Sequence, residues 1–208
     1  MTPRSATRPR RESGGTGQDR RGELLGIAAE LFATQGYSQT TVRDIADAAG
    51  MLSGSLYHHF ASKEAMLVEV LRGFMERLLQ QSTDIADSGG SPTEVLEGLI
   101  RSSFQTIHDH PHEVALYQNE TSLFRRQPEF SFVLRTSEKI TKIWLGVFED
   151  GSASGEFREG LDSTAVYRFI RDAVWSTVRW YRPRGRLRHD KLADQLIDMV
   201  YGGLITPR

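Results

Sequence analysis

The segment RRGELLGIAAELFATQGYSQTTVRDIADAAGMLSGSLYHHFASKEAMLVEV occupies residues 20–70, and its apolar residues recur with helical spacing. One helical face is formed by Leu24, Ile27, Ala28, Leu31 and Phe32. The i, i+3, i+4 pattern of this face predicts a first helix. Gly36 is placed to end it, because glycine readily adopts the left-handed conformation of a helix C-terminus.

Further helices are predicted in the same segment. Thr41 and Asp44 have the spacing of a capping box, which predicts a second, short helix that Gly50 would close. Ser53 is a suitable cap for a third helix over residues 53–59. Ser62 then opens a long helix that reaches about residue 86.

Two short helices joined by a glycine-containing turn are typical of a helix-turn-helix, whose second helix enters the DNA major groove. Small residues on the third helix would allow close approach to the duplex, and its hydroxyls and imidazoles could bond to phosphates and base edges. The spacing is equally compatible with an ordinary buried helical hairpin. Between Glu23 and Lys63 the formal charge is −2, which is unfavourable for binding a polyanion.

The rest of the chain also has helical patterns and no strand alternation, so the predicted fold class is all-α. Prolines and Gly/Ser-rich breaks separate predicted helices near 92–110, 112–126, 129–149, 162–181 and 188–201. The predicted domains are a disordered basic arm (1–17), a helix-turn-helix domain (18–65) and a C-terminal helical domain (66–208).

Composition excludes several classes of protein. The chain has 38% hydrophobic residues, no cysteine and a net charge of −1, which excludes wholesale disorder, disulfides and thiolate metal sites. No run of 18 apolar residues and no signal peptide is seen, so we expect a cytoplasmic protein with no membrane partner. Six arginines against Glu12 and Asp19 give residues 1–22 a charge of +4. This arm could track DNA phosphates, or it could be a solubilising leader without a partner.

The blocks TTVRDIA and GSLYHHFASKE in residues 20–70 resemble the N-terminal domain of the TetR family of one-component transcriptional regulators. The resemblance implies a three-helix DNA-binding domain, a larger helical domain that binds an effector, and a homodimer on a two-fold symmetric operator. It implies DNA contacts from Thr41, Arg43, Ser53, Gly54, Ser55, Tyr57 and His58, and a phosphate clamp at Lys63. Leu52 stands where family members often have serine, so we expect the helix cap to move to Ser53.

The predicted helix after Asp162 has two distinct faces. One face is predicted to contain Val166, Ile170, Ala173, Thr177 and Trp180. The opposite face is predicted to place Trp175 among Arg168, Arg171, Arg179 and Arg182. Arginines around an indole suit an anionic ligand with a flat ring, but they suit a protein interface equally well. In TetR-like proteins the last two helices form the dimer, so both roles remain open.

MLSGSLYHHFASKE and VYRFIRDAVWSTVRWYRP together resemble actinobacterial TetR-type repressors of late cholesterol catabolism. This resemblance implies an effector that is a ring-degraded steroid as its coenzyme A thioester. Such a ligand would suit an aromatic cavity with an arginine mouth. The predicted effector residues are Phe104, Tyr117, Phe124, Trp144, Arg171, Trp175 and Arg179. A TetR-like repressor that responds to another hydrophobic or acyl-coenzyme A effector is the alternative.

Other functions have weaker support in the sequence. His108, His110 and His112 could ligate a metal, but Pro111 places them at a corner between helices, where polar side chains are common. No motif of a hydrolase or nucleotide enzyme is present, so we expect neither enzymatic activity nor a cofactor. A helical scaffold would need only the amphipathic helices, but it leaves the arginine arm unexplained.

Overall fold

The computed structural model describes the backbone of residues 17–204 and the side chains of residues 19–203. Over this part of the chain it is all-helical, as predicted, without a β-strand. The helices are α1 (Gly17–Gln35), α2 (Val42–Ala48), α3 (Ser53–Tyr57), α4 (Lys63–Ala86), α5 (Pro92–Asp109), α6 (Pro111–Asn119), α7 (Thr121–Arg126), α8 (Ser131–Ala153), α9 (Ser163–Ser176) and α10 (His189–Leu204). Single 3-10 turns lie at Pro128–Phe130 and Thr177–Arg179. The predicted arm, residues 1–17, lies outside the described residues except for Gly17.

Local capping signals determine where several helices begin. The Thr41 hydroxyl accepts a hydrogen bond from the Asp44 backbone N–H, and the Asp44 carboxylate accepts from the Thr41 backbone N–H, so the predicted capping box of α2 is formed. Ser62 caps α4 and Asp162 caps α9 through the same kind of bond. Gly36 and Gly50 have φ of 92° and 65°, a conformation that L side chains rarely adopt, and each ends its helix as predicted.

Three helix predictions were wrong. The helix predicted over 112–126 is broken at Glu120, because Asn119 and Thr121 have low helix propensity. The helix predicted to reach Tyr181 ends at Ser176, where the Ser176 and Thr177 hydroxyls bond back to the carbonyls of Ala173 and Val174.

The third wrong prediction concerns the recognition helix. It spans Ser53–Tyr57 rather than residues 53–59, and Leu52, not Ser53, takes the extended N-cap conformation. The backbone N–H of Ser55 bonds to the Leu52 carbonyl at 2.9 Å, so Ser53 is already the first helical residue and cannot cap the helix.

Helix α4 connects the N-terminal and C-terminal helices into one core. It packs on α1 near the DNA-binding end and on α5, α6 and α8 along the rest of its length. Its inward face is fully buried and consists of Met66, Leu67, Val70, Leu71, Phe74, Met75 and Leu78. Helix α6 also packs on α1, so the C-terminal helices contact the N-terminal helices at two places.

Candidate DNA-binding surface and effector cavity

Helices α2 and α3 form the predicted helix-turn-helix. The Met51 backbone N–H bonds to the Ala46 carbonyl at 2.9 Å, which closes the turn after Gly50. Ile45 on α2 and Leu56 on α3 are fully buried, so each short helix is anchored by an apolar side chain. Because α3 has only five residues, this packing stabilises it more than its own hydrogen bonds do.

The predicted DNA-contacting residues lie on one accessible surface. Exposed positions are Thr41, Arg43, Gly54, Tyr57 and His58, and half-buried ones are Ser53, Ser55 and Lys63. The Arg43 side chain is 83% exposed and pairs with Asp47 at 3.7 Å, a weak surface pair. Its guanidinium is therefore accessible to a phosphate.

Lys63 has a different environment from Arg43. Its Nζ donates to the carbonyls of Tyr37 at 2.8 Å and Thr40 at 2.9 Å, and it lies 4.4 Å from the centre of the Tyr37 ring. These bonds tie the start of α4 to the loop between α1 and α2. The predicted phosphate clamp would have to share this ammonium with two carbonyls.

Arg20 and Arg21, which belong to the basic segment 1–22, lie in α1 and hold the helix-turn-helix in place. Arg20 Nη2 donates to the Ala49 carbonyl at 3.0 Å. Arg21 pairs with Glu69 of α4, donates to the His59 carbonyl and covers the Phe60 ring at 4.1 Å. The signal that could have revealed them is their position one turn before Leu24, within the first helical pattern.

A small internal cavity of about 30 Å³ lies among α4, α5, α6, α8 and α9. Four of the predicted effector residues, Tyr117, Trp144, Arg171 and Trp175, line it. The full lining is Leu78, Ser82, Ser103, Tyr117, Ser137, Ile140, Trp144, Tyr167, Arg171, Val174 and Trp175. The volume is enough for about one water molecule and far below that of ordinary ligand pockets.

Aromatic rings around this cavity contact one another, and two hydroxyls there share a hydrogen bond. Tyr117 and Trp175 meet edge to face with centroids 6.3 Å apart, and Trp144 lies 5.8 Å from Tyr167. The Tyr117 hydroxyl is 2.9 Å from the Ser137 hydroxyl, and burial raises the pKa of Tyr117. The cavity therefore offers π faces and hydrogen-bonding hydroxyls together.

Arg171 lies at the boundary between the cavity and an open cleft of about 280 Å³. Its guanidinium is 5.6 Å from the Tyr167 ring centre and pairs with the exposed Asp172 at 2.8 Å. The cleft shares Tyr117, Ser137 and Arg171 with the cavity and adds Gln118, Thr121, Phe124, Arg125, Val133, Leu134 and Asp172. Arg125 forms no ion pair with any described side chain, so this cleft has a second guanidinium available.

The remaining predicted effector residues are placed elsewhere. Phe124 lines the open cleft but not the internal cavity. Phe104 is buried in the core without lining either space, and Arg179 is exposed in the 3-10 turn after α9.

The two predicted faces of α9 do not separate in the structure as the helical angles indicated. Trp175, predicted among arginines, is 9% exposed, whereas Trp180, predicted on the opposite face with Val166 and Ile170, is 52% exposed and lies beyond the end of α9. Ala173 is exposed as well. Tyr167, Arg171 and Trp175 are spaced four residues apart and line the cavity as one stripe, a signal that was available in the sequence.

In the corner between α5 and α6, His108 and His110 contact other side chains. His108 Nδ1 is 2.8 Å from the Tyr181 hydroxyl, and its ring stacks on His189 at 4.4 Å. His110 Nδ1 lies 3.4 Å from Glu113. In the described part of the chain, no three His, Cys, Asp or Glu side chains are arranged to hold a metal ion. None of the described helices is long and apolar enough to span a bilayer.

Comparison with known proteins identifies the family. Residues 24–70 match the family described as bacterial regulatory proteins, tetR family, and residues 89–204 match the tetracyclin repressor-like C-terminal domain. The HTH-type transcriptional repressor KstR2 of Mycobacterium tuberculosis is 49% identical over 185 residues, which cover 89% of this chain and 92% of the relative. KstR2 of Rhodococcus jostii is 44% identical over 207 residues, which cover 100% and 99%.

Solved structures agree with this relationship. The ketosteroid transcriptional regulator KstR2 of Mycobacterium tuberculosis has a TM-score of 0.89 at 47% identity, covering 95% of this chain and 100% of that chain. AibR, solved with isovaleryl coenzyme A and operator DNA, has a TM-score of 0.77 at 24% identity, covering 86% and 97%, and shares the fold. The chain therefore belongs to the TetR family and is a transcriptional repressor of that family.

Proposed function

We propose that this repressor is released from its operator by a coenzyme A thioester of a ring-degraded steroid, and that it controls genes of steroid catabolism in the cytoplasm. The observation that carries the proposal is the stripe of Tyr167, Arg171 and Trp175 on α9, which joins an aromatic cavity to a cleft with two arginines. An apolar ring body suits the aromatic side, and the phosphates and carboxylates of such a thioester suit guanidinium groups.

The relatives support the steroid class. The curated repressors that are 44–49% identical to this chain are KstR2 proteins, and the solved KstR2 structure is described as a ketosteroid regulator. The AibR complex supports only the fold-level point that a protein of this shape can hold a coenzyme A thioester and operator DNA. A TetR-like repressor with another acyl-coenzyme A effector is the second candidate, and the open cleft with Arg125 and Arg171 is compatible with it.

The cavity must enlarge to admit a steroid-derived ring, since about 30 Å³ holds no more than solvent. Helices α6, α8 and α9 contribute all four aromatic rings that line it, and α6 also packs on α1. Opening the cavity would therefore shift a helix that contacts the DNA-binding end. For tenfold release from DNA, the effector must favour the shifted arrangement by about 1.4 kcal/mol.

We further propose that the protein binds a two-fold symmetric operator as a homodimer formed through α9 and α10. Phe169 on α9 and Met199 on α10 are 75% and 76% exposed, which leaves apolar surface available on both helices. Each subunit would then place one α3 in a half-site. Phe169→Glu and Met199→Glu should yield monomers in analytical ultracentrifugation, and a retained dimer would contradict this interface.

The effector is tested by fluorescence anisotropy with DNA from upstream of the coding sequence, at near-physiological salt, with and without steroid-derived coenzyme A thioesters. We expect Arg171→Met and Trp175→Phe to bind DNA as the wild type does and to need at least tenfold more thioester for release. Arg179→Ala is the matched control on the neighbouring turn and should respond normally. Release by short-chain acyl-coenzyme A alone would favour the second candidate, and indifference to every thioester would refute both.

A further inference from the structure

The side chain of Leu52, unlike its backbone, has no structural role among the described residues. Its side chain is 80% exposed, more than that of any other large apolar residue described, and it packs on no part of the core. It occupies the N-cap of α3 but makes no side-chain capping bond there. A serine or aspartate at an N-cap would accept a hydrogen bond from the first turn, so leucine is a poor choice for helix stability.

The location of Leu52 gives it access to DNA. The N-terminal residues of the second helix in a helix-turn-helix are those that contact base edges in the major groove. Leu52 is the residue immediately before α3, and Gly54 and Tyr57 on the same helix are also exposed. A side chain at this position therefore faces the groove when α3 is docked.

The neighbouring side chains limit how bases can be read. No Asp, Glu, Lys or Arg occurs between Asp47 and Lys63, so α3 has no guanidinium or ammonium to bind guanine and no carboxylate to bind cytosine. Hydroxyls, imidazoles and apolar contact remain. The apolar feature of the major groove is the 5-methyl group of thymine.

We propose that Leu52 contacts the 5-methyl group of a thymine in each half-site and thereby helps to determine which operator is bound. The proposal rests on the operator binding described above and assigns part of its specificity to one side chain. Burial of one methyl group corresponds to about fourfold in a binding constant. With two half-sites, the contact contributes roughly 15-fold.

The experiment uses the full-length protein and a DNA duplex selected by it from a random pool. Thymines are replaced by deoxyuridine, which lacks only the 5-methyl group, at one symmetric pair of positions at a time. Affinities of the wild type, Leu52→Ser, Leu52→Met and the control Leu161→Ser are measured by anisotropy. Leu161 is a partly exposed leucine in the loop before α9, away from the helix-turn-helix.

We expect at least one symmetric pair at which deoxyuridine weakens wild-type binding by about 15-fold. Leu52→Ser should bind thymine and deoxyuridine operators equally well at that pair, whereas Leu52→Met and Leu161→Ser should keep the dependence. Because serine can cap α3, Leu52→Ser should melt no lower than the wild type, which separates this effect from loss of folding.

Equal dependence on the methyl group in Leu52→Ser and the wild type would overturn the proposal, as would an operator on which no thymine methyl matters. Either result leaves the proposed operator binding intact. Failure to select any DNA sequence would instead overturn the proposed operator binding, and this proposal with it.

Discussion

The DNA-binding end and the effector end of this repressor use their functional side chains in opposite ways. The predicted DNA contacts on α2 and α3 lie largely at the surface, with Arg43 and Tyr57 exposed. The predicted effector residues Trp144 and Trp175 are buried around a cavity of about 30 Å³. The first surface is available for binding as it stands, whereas the second would have to open to admit the proposed effector. The difference teaches that the effect of a substitution on stability should follow the burial and contacts of the side chain, not the end of the molecule on which it lies.

The largest effect is expected for Phe32→Ala, which removes a buried ring that meets Tyr37 edge to face at 5.2 Å. Loss of a buried phenylalanine typically costs about 3–5 kcal/mol in the free energy of unfolding. Thermal or urea denaturation should show this loss, together with loss of DNA binding. Leu161→Ala, at a partly exposed leucine, should change stability by less than about 0.5 kcal/mol. Comparable values for the two variants would contradict the assignment of Phe32 to the core.

A comparable test of the effector end is Gly151→Ala. An added Cβ would lie 2.2 Å from the Phe157 ring, so α8 or the following loop would have to shift. Overpacking costs up to about 3 kcal/mol, and we expect a value near that limit in urea denaturation. Gly146→Ala on the same helix meets no neighbour and is the matched control. If Gly151→Ala is as stable as Gly146→Ala, the loop after α8 is not packed as described.

Lys63→Met should destabilise the protein by about 2 kcal/mol, because two carbonyls lose a charged donor. If the Lys63 ammonium stays on these carbonyls when DNA binds, Lys63→Met and the wild type should have the same salt dependence of DNA affinity. If Lys63 instead clamps a phosphate, the variant should lose about 0.9 per contact from the slope of log affinity against log salt concentration. Arg43→Met is the control, and it should lower the slope with little change in stability.

The smallest effect concerns pH and the capping box of α2. Hydrogen bonds from the Thr41 backbone N–H, and then from its hydroxyl, hold the pKa of Asp44 below its ordinary value of 3.8. A lowered folded-state pKa stabilises the protein above the unfolded value, and this contribution is lost as the pH falls through the folded pKa. The difference in melting temperature between wild type and Asp44→Ala should therefore be largest near pH 7 and shrink below pH 4. Asp47→Ala removes a carboxylate from the same helix without touching the capping box, so a pH profile identical to that of Asp44→Ala would contradict the capping role.

Features that depend on residues close together in the sequence could be predicted. The Thr41–Asp44 capping box and the turns at Gly36 and Gly50 follow from local hydrogen bonding and backbone sterics, and all three are present. The all-α fold and the TetR family were also predicted correctly. These features require no knowledge of which helices pack together.

Features that depend on packing could not be predicted in the same way. Helical periodicity separates the faces of α9 but does not say which face is buried, and the sequence left the face of Trp175 open between a ligand site and a protein interface. Arg171 can nevertheless cover the cavity with its aliphatic stem while its guanidinium reaches the open cleft. Trp180 was assigned to the wrong face because the α-helix changes to a 3-10 turn at Thr177. The carbonyl partners of Lys63 come from a loop more than 20 residues away.

The small size of the internal cavity has a consequence for timing. An effector with a fused-ring body can enter only while α6, α8 and α9 are apart, so the rate of its binding is limited by how often they separate. Only molecules in which these helices are apart can bind the effector. The apparent affinity is therefore the intrinsic affinity multiplied by the fraction of molecules with an open cavity. Such a repressor would need a higher effector concentration for release than one with a preformed pocket of the same intrinsic affinity.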